Sequence, residues 1–357
     1  MRARQHALAA VVFWAAAVVP LATVAAEPLS LPKLRITDVT VSGISSGGFM
    51  AAQLQVAYAA TISGVGIIAA GPYGCAGDNY PWNLWRATHV CSDFADGLPF
   101  AGPPPLAPSL DAVRRAAAQG LIDNPAGLAA DRVYLFSGSR DRTVPAAVME
   151  VTAAFYRSLL ADPVHQISFE TAIPAAHAMI TLDFGNACDV AKPPYLSDCD
   201  YSAAENLLAH LYGPLAAAVA PHDDGLIAFD QREFLAPPPS ASGLGDVGYL
   251  YLPRGCEVPG AGCRLHIVLH GCEQSREQIG DTFARHAGYN GVAEANRIIV
   301  LYPQARPVTM AWFGVTLPWP NPKGCWDWWG FTGRGYATRE GVQPRAIKAM
   351  IDRLAGP

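Results

Sequence analysis

Charge is scarce in this chain of 357 residues: Asp, Glu, Lys and Arg make up 15% of it, against roughly 25% in an average soluble protein. The balance is mildly acidic, a formal −5 at pH 7, and there is no extended Lys/Arg run. Such a chain has no electrostatic footprint for nucleic acid or an anionic lipid surface. The paired C-x₂-C spacing of a zinc site is missing as well, so no metal or other cofactor is expected. Past the first two dozen residues no apolar stretch approaches the ~20 residues of a membrane helix. Internal repeats and Gly/Ser- or Thr-rich linkers to a separate binding module are also lacking. With 51% hydrophobic residues, disordered and fibrous classes are excluded. The low charge suits a surface for an uncharged, apolar substrate and equally an Ala- and Pro-rich secreted protein.

What is present begins with a leader. Arg2, Arg4 and His6 precede an apolar run from Ala7 to about Leu21, and Ala22–Ala26 supply small residues ahead of Glu27 and Pro28. This is the pattern of a secretory signal over residues 1–26, with an uncleaved N-terminal anchor as its competitor. No integral membrane segment is expected after cleavage. The eight cysteines fall into neighbouring couples: Cys75 with Cys91, Cys188 with Cys199, Cys256 with Cys263, and Cys272 with Cys325. An even count in an exported, oxidising setting implies disulfides, and these couples are the simplest of the 105 pairings possible.

The chemistry starts at Gly43-Ile44-Ser45-Ser46-Gly47, a G-x-S-x-G pentapeptide between a strand-like run, 38–42, and a helix-like run, 48–54. A strand turning sharply into a helix at a serine among glycines is the nucleophile elbow of α/β-hydrolases. Only small neighbours permit that turn, and the helix N-terminus favours the negative charge of an attacked carbonyl oxygen.

Apolar, β-branched runs at 38–43, 62–69, 132–137, 166–171, 247–252, 264–270 and 298–302 alternate with helix-like or loop-like stretches, and 343–354 reads as a closing helix. The expected fold class is α/β, a mostly parallel sheet with helices on both faces. Pro-rich stretches at 99–108 and 236–240 read as surface connections. The second divides one expected catalytic domain, 27–357, into an elbow, Asp and His part (27–235) and an oxyanion-loop part (241–357). In the usual order the strand ending in a His-Gly oxyanion loop precedes the elbow. Here the run ending in His270-Gly271-Cys272 follows Ser45 by more than two hundred positions. Joining the chain's end to its start restores the usual order, so a circularly permuted α/β-hydrolase is expected.

A serine nucleophile needs a base, and the base needs an acid that fixes its tautomer. Asp141 stands in the loop after 132–136, where the fold requires an acid, although a turn-forming Asp is common there. His177 follows the 166–171 strand on a small-residue loop, whereas His165 lies at that strand's wrong end and His210 and His222 fall in an excursion. The oxyanion donors are expected to be the backbone N–H groups of Ser46 and Cys272. Trp312, Trp319, Trp326, Trp328 and Trp329 cluster within eighteen residues, and Trp82 and Trp85 lie near Cys75 and Cys91. Most are read as packing residues. If Cys272 bonds Cys325, then Trp326, Trp328 and Trp82 are candidates to line an apolar substrate subsite.

Val41 to Ala51, Asp141, His177 and Leu269-His270-Gly271-Cys272-Glu273-Gln274 together resemble the single-domain, circularly permuted poly(3-hydroxybutyrate) depolymerases over most of the mature chain. The similar unpermuted esterases share the His-Gly-Cys-x-Gln and Cys-Trp-x-Trp elements, the latter here Cys325-Trp326-Asp327-Trp328. The resemblance implies an exported serine esterase acting on a polyester polymer or its oligomers and releasing 3-hydroxybutyrate products. It carries the nucleophile, acid, base and oxyanion roles to Ser45, Asp141, His177, Ser46 and Cys272. A monomer is expected, in the periplasm or the medium. Two rivals stay open: a carbohydrate esterase of feruloyl or acetyl type, and a non-catalytic polymer-surface protein with a hydrolase fold.

Overall fold

Alternate side chains of a parallel strand enter opposite layers, and the apolar runs here are long enough to be buried on both sides. The computed structural model describes residues 29–79, 82–93, 99–237, 242–258, 260–312 and 315–356, without the side chains of 310–319. The leader expected at 1–26 and the end of the 236–240 proline stretch lie outside the described residues.

In chain order the elements are β1 (Ile36–Ile44), α1 (Ser46–Ala57), β2 (Gly64–Ile68), α2 (Trp82–His89), α3 (Leu106–Ala118) and β3 (Arg132–Phe136). Next come α4 (Ala146–Arg157), α5 (Pro163–Gln166), β4 (Ile167–Glu170), β5 (Met179–Thr181), β6 (Asn186–Ala187), β7 (Leu196–Asp198) and α6 (Ala203–Tyr212). The remainder is β8 (Leu226–Asp230), β9 (Val247–Tyr251), β10 (Cys263–Leu269), α7 (Arg276–Ile279), α8 (Thr282–His286), α9 (Tyr289–Asn296), β11 (Ile298–Tyr302), β12 (Val308–Trp312), β13 (Val315–Asn321) and α10 (Val342–Ala355).

Eight strands form one sheet in the order β4-β3-β2-β1-β10-β11-β9-β8, parallel from β4 to β11, with β9 antiparallel to both of its neighbours. β1, first in the chain, lies in the middle, pairing β2 on one side and β10 on the other. Val41, Val65, Val133, Leu135 and Ile267 face one layer with α1, α4 and α10, while Tyr134, Phe136, Val268 and Val300 face the other with α6, α8 and α9. Every residue of α1 is buried, which its Gly- and Ala-rich sequence permits by letting the helix lie close on the sheet.

α10 packs Ile347, Met350, Ile351 and Leu354 into the core, the apolar positions expected of the closing helix. Each contributes about 1.5–3 kcal/mol by burial, before the entropy of ordering it. The end of α10 meets the lead-in to β1, where Leu34 N–H donates to the Leu354 carbonyl at 2.7 Å. The sheet thus sets β10, late in the chain, beside β1, early in it.

The 99–108 stretch is not wholly a connection, because α3 begins at Leu106 with Pro105 as its cap. Pro108 falls in the first turn, where a missing N–H breaks no intrahelical bond. Edge strand β8, the small β5-β7-β6 sheet and the β12-β13 hairpin are additions with no counterpart in the apolar runs. All four expected cysteine couples are bonded: Cys75–Cys91, Cys188–Cys199, Cys256–Cys263 and Cys272–Cys325.

Candidate active site

At the β1–α1 junction Ser45 has φ 55° and ψ −125°, a conformation disfavoured for a residue with a side chain. Its N–H donates to the Ile68 carbonyl at 2.9 Å. The turn closes so tightly that a Cβ on Gly43 would overlap the Gly47 carbonyl group, and one on Gly47 would overlap the backbone oxygens of Leu269 and His270. Both glycines are therefore required by close backbone approach. The first-turn N–H groups of α1 have no intrahelical acceptor and open beside Ser45.

Below the elbow a buried polar chain ties β1 to β10. His266, fully buried, lies 2.8 Å through Nε2 from Ser42 Oγ and 2.7 Å through Nδ1 from Thr40 Oγ1. Thr40 Oγ1 donates to Tyr212 Oη, which donates to the Leu265 carbonyl. His266 Nδ1–H is then the donor to Thr40, and Nε2 accepts from Ser42, whose oxygen is 2.8 Å from Tyr289 Oη. Burial pushes the imidazole pKa down to about 3, so the ring stays neutral.

Asp141 and His177 come from the loops after β3 and β4. Asp141 Oδ2 is 2.8 Å from His177 Nδ1, and its side chain is 2% exposed. The other carboxylate oxygen accepts N–H bonds from Thr143 and Val144 at 2.8 and 2.9 Å, which hold the acid in one orientation. His165 and Asp162 pair at the surface, and His222 lies among Glu294, Glu257 and Asp224. His210 bonds the Gln166 carbonyl. None of these three histidines lines a cavity with Ser45.

The loop after β10 is held from several sides. Gly271 N–H donates to Gln274 Oε1 at 2.7 Å, and Gln274 Nε2 donates to the carbonyls of Pro194 and Tyr195. Trp326 Nε1–H donates to the His270 carbonyl, and Cys272 is bonded to Cys325. His270 Nε2 accepts from Ala305 N–H at 3.1 Å, so its proton sits on Nδ1 and is donated to the Gly271 carbonyl, 2.7 Å away. Burial pushes the His270 pKa down to about 4, which keeps this tautomer in place at neutral pH. The Gly271 C=O and the Cys272 N–H belong to one planar peptide and point opposite ways. Fixing the carbonyl therefore aims the N–H.

Two cavities meet at Ser45, Thr143, Cys272 and Lys323. One, of about 140 Å³, is the more polar of the two and adds His177, Tyr195, Glu273 and Gln274. The other, of about 210 Å³, is apolar and adds Phe49, Leu84, Ala87, Val144, Trp328 and Trp329. Trp328 stacks on Phe49 with ring centroids 3.9 Å apart. Among the described residues there is no group of His, Cys, Asp and Glu able to hold a metal, and no helix long and apolar enough to cross a membrane.

No protein-family model matches the chain. It is 39% identical over 334 residues to a poly(3-hydroxybutyrate) depolymerase of Delftia acidovorans, a match covering 92% of this chain and 62% of that one. To a polyhydroxybutyrate depolymerase of Talaromyces funiculosus it is 35% identical, over 93% of this chain and 94% of the relative. The chain belongs to the polyhydroxybutyrate depolymerase family. That family's polymer is a polyester, which places the chain among the carboxylic ester hydrolases. Two solved structures agree in fold, each with a TM-score of 0.78 over 91% of this chain and 98% of its own. One is a PHB depolymerase with a serine-to-alanine substitution complexed with an R3HB trimer, at 33% identity; the other is the Penicillium funiculosum PHB depolymerase, at 34%.

In this depolymerase-family site the tryptophans named from sequence part company. Trp328 lines the apolar cavity. Trp326 does not: it is fully buried behind the loop after β10, holding the His270 carbonyl. Trp82 does not either, since it is 64% exposed on the outer face of α2, whose opposite face, Leu84, Ala87 and Thr88, lines the cavity. The side chains of Trp312 and Trp319 lie outside the described residues. Trp329, Phe49, Gln274 and Asp327 were missed as site residues. The carboxylate of Asp327 collects the N–H groups of Trp329, Gly330, Phe331 and Thr332, folding the chain so that Trp328 reaches Phe49. The Asp327-Trp328-Trp329-Gly330 spacing was the available signal, since an Asp followed by Gly marks a side-chain-capped turn.

Proposed function

We propose that this chain is an exported serine esterase that hydrolyses poly(3-hydroxybutyrate) or its oligomers through an acyl-enzyme. The observation that carries the reading is one cavity wall shared by Ser45, His177 and Cys272, with His177 Nδ1 held by Asp141. The Asp141 bond leaves His177 Nε2 to act as base, and Asp141 stabilises the imidazolium that forms. Ser45 Oγ attacks the ester carbonyl as Nε2 takes its proton, and the backbone N–H groups of Ser46 and Cys272 receive the oxyanion. Nε2 returns the proton to the leaving alkoxide, then draws one from the water that cleaves the 3-hydroxyacyl ester.

The apolar cavity accommodates the methyl and methylene groups of a hydroxybutyryl unit against Phe49 and Trp328. A permuted, single catalytic unit is part of the proposal, supported by the β1–β10 pairing and the Leu34–Leu354 bond. Export is supported by four disulfides, which persist in oxidising compartments. The test is a Ser45→Ala variant assayed on soluble hydroxybutyrate trimer and on a polymer suspension. Turnover is expected to fall by about 10⁴-fold or more with the melting temperature unchanged. A variant retaining near-wild-type turnover refutes the assignment of Ser45.

A further inference from the structure

A second cavity system leads away from the serine. The apolar cavity at Ser45 shares Pro320 with a neighbouring trough of about 450 Å³. That trough shares Asp78, Arg334 and Tyr336 with a pocket of about 410 Å³ between α3 and the 73–78 and 334–340 loops. Three guanidinium groups, Arg86, Arg115 and Arg334, lie on the pocket wall. The side chains of Arg115 and Arg334 take part in no hydrogen bond or ion pair with described residues. Tyr73 is 3% exposed, lines the pocket, and has a phenol without a hydrogen-bond partner there. An otherwise buried phenol facing an open cavity is a donor awaiting an acceptor.

The wall is also rigid. Arg86 clamps the Cys75 carbonyl through Nε and Nη2 at 3.3 and 3.0 Å, Cys75 is bonded to Cys91 just beyond α2, and Tyr336 Oη donates to the Gly77 carbonyl. Asp78 and Glu340 complete the pocket without pairing to its arginines. Three cations against two carboxylates leave a single surplus positive charge, which matches a monoanion and disfavours a multiply charged phosphate. Arg pairs best with a planar, bidentate carboxylate.

We propose that this pocket is a distal subsite for the carboxylate end of a hydroxyacyl oligomer whose scissile ester lies at Ser45. The inference rests on the esterase reading above. When a 3-hydroxyacyl chain is cleaved, the acyl portion stays on serine with the free hydroxyl end, and the portion that leaves carries the carboxyl end. The pocket therefore holds the leaving fragment, at the far end of the trough from the nucleophile.

The experiment measures binding to the full-length Ser45→Ala protein, so it does not depend on turnover. Hydroxybutyrate trimer is titrated as the free acid and as its methyl ester, with Arg115 and Arg334 intact and with both replaced by Ala. The acid is expected to bind about tenfold tighter than the ester, a difference of about 1.4 kcal/mol, and the preference is expected to vanish in the Arg115→Ala/Arg334→Ala protein and to weaken with salt. Both arginines are exposed, so a thermal melt checks that the fold survives. Equal binding of acid and ester with the arginines present, or a preference that outlives their removal, overturns the pocket. Methyl-ester trimer given to the wild type separates the two proposals: no turnover there rejects the esterase reading, whatever the binding shows.

Discussion

The elbow at Ser45 and the loop after β10 lie against each other yet are built in opposite ways. The elbow is local: its shape follows from Gly43, Gly47 and the strand and helix that flank Ser45. The loop after β10 has no such self-sufficiency. It is held by Gln274 to residues 194–195, by His270 to Ala305, and by Trp326 and Cys325 from the segment beyond β13. A turn made by backbone contact fails abruptly, because a methyl group cannot be accommodated without moving a strand. A loop held by several side chains loses its geometry in steps, since each tether removed leaves the others.

Gly47→Ala should have the largest effect, abolishing the soluble folded protein or all of its activity, as read by expression and circular dichroism. A folded, active Gly47→Ala protein would show that the strand and helix can separate there. Next comes the Cys272→Ser/Cys325→Ser pair. Opening a closure that spans 53 positions should lower stability by about 4 kcal/mol and kcat by about 10- to 100-fold as the proposed oxyanion donor loosens. Denaturant melts and ester kinetics at low denaturant measure the two effects, and an unchanged kcat would free the loop from this tether.

Gln274→Ala is expected to reduce kcat about tenfold with little change in KM, because the tether acts on the donor proposed to receive charge in the transition state. A rise in KM alone would assign Gln274 to ground-state binding instead.

The pH response is gentler and falls on both regions. His266 and His270 have pKa values pushed by burial from 6.5 to about 3 and about 4. A base with a depressed folded pKa contributes stability that is complete above pH 6.5 and is lost as pH falls toward 4. Asp131, its pKa raised by burial from 3.8 to about 7, acts in the opposite sense over the same range, so the imidazoles are followed directly: in the folded protein both rings should stay neutral by NMR from pH 7 to 5, and protonation of either there contradicts the depressed values. Trp82→Ala, on the exposed face of α2, should change turnover of a soluble ester by less than about twofold; a larger loss would bring Trp82 back to the subsite.

Much of the first region and little of the second could be read from residues in order. The G-I-S-S-G turn, the Asp after β3 and the His after β4 are placed by strand ends, which apolar runs mark well. Three of the four cysteine couples lie 16, 11 and 7 positions apart and close short loops, which costs little entropy. Trp326 and Trp328 defeated sequence reading, since two residues apart in an extended chain they would share a face. Asp327 instead draws four N–H groups to its carboxylate and turns one indole to the His270 carbonyl and the other onto Phe49. For Trp82 the missing knowledge was α2 itself, a helix whose inner face is Leu84, Ala87 and Thr88.

The sequence by itself determined where the chain turns at Ser45, which strands of the large sheet's parallel part exist and that the strand ending before His270 comes late, because these depend on local sterics and on the period of apolar residues. Only the tertiary structure decided which strand neighbours β1, which proton His270 carries, which tryptophan meets the cavity and that arginines from α2, α3 and the 334–340 loop share a pocket. Those outcomes depend on groups tens to hundreds of residues apart, brought within hydrogen-bonding reach when the two faces of the sheet are buried.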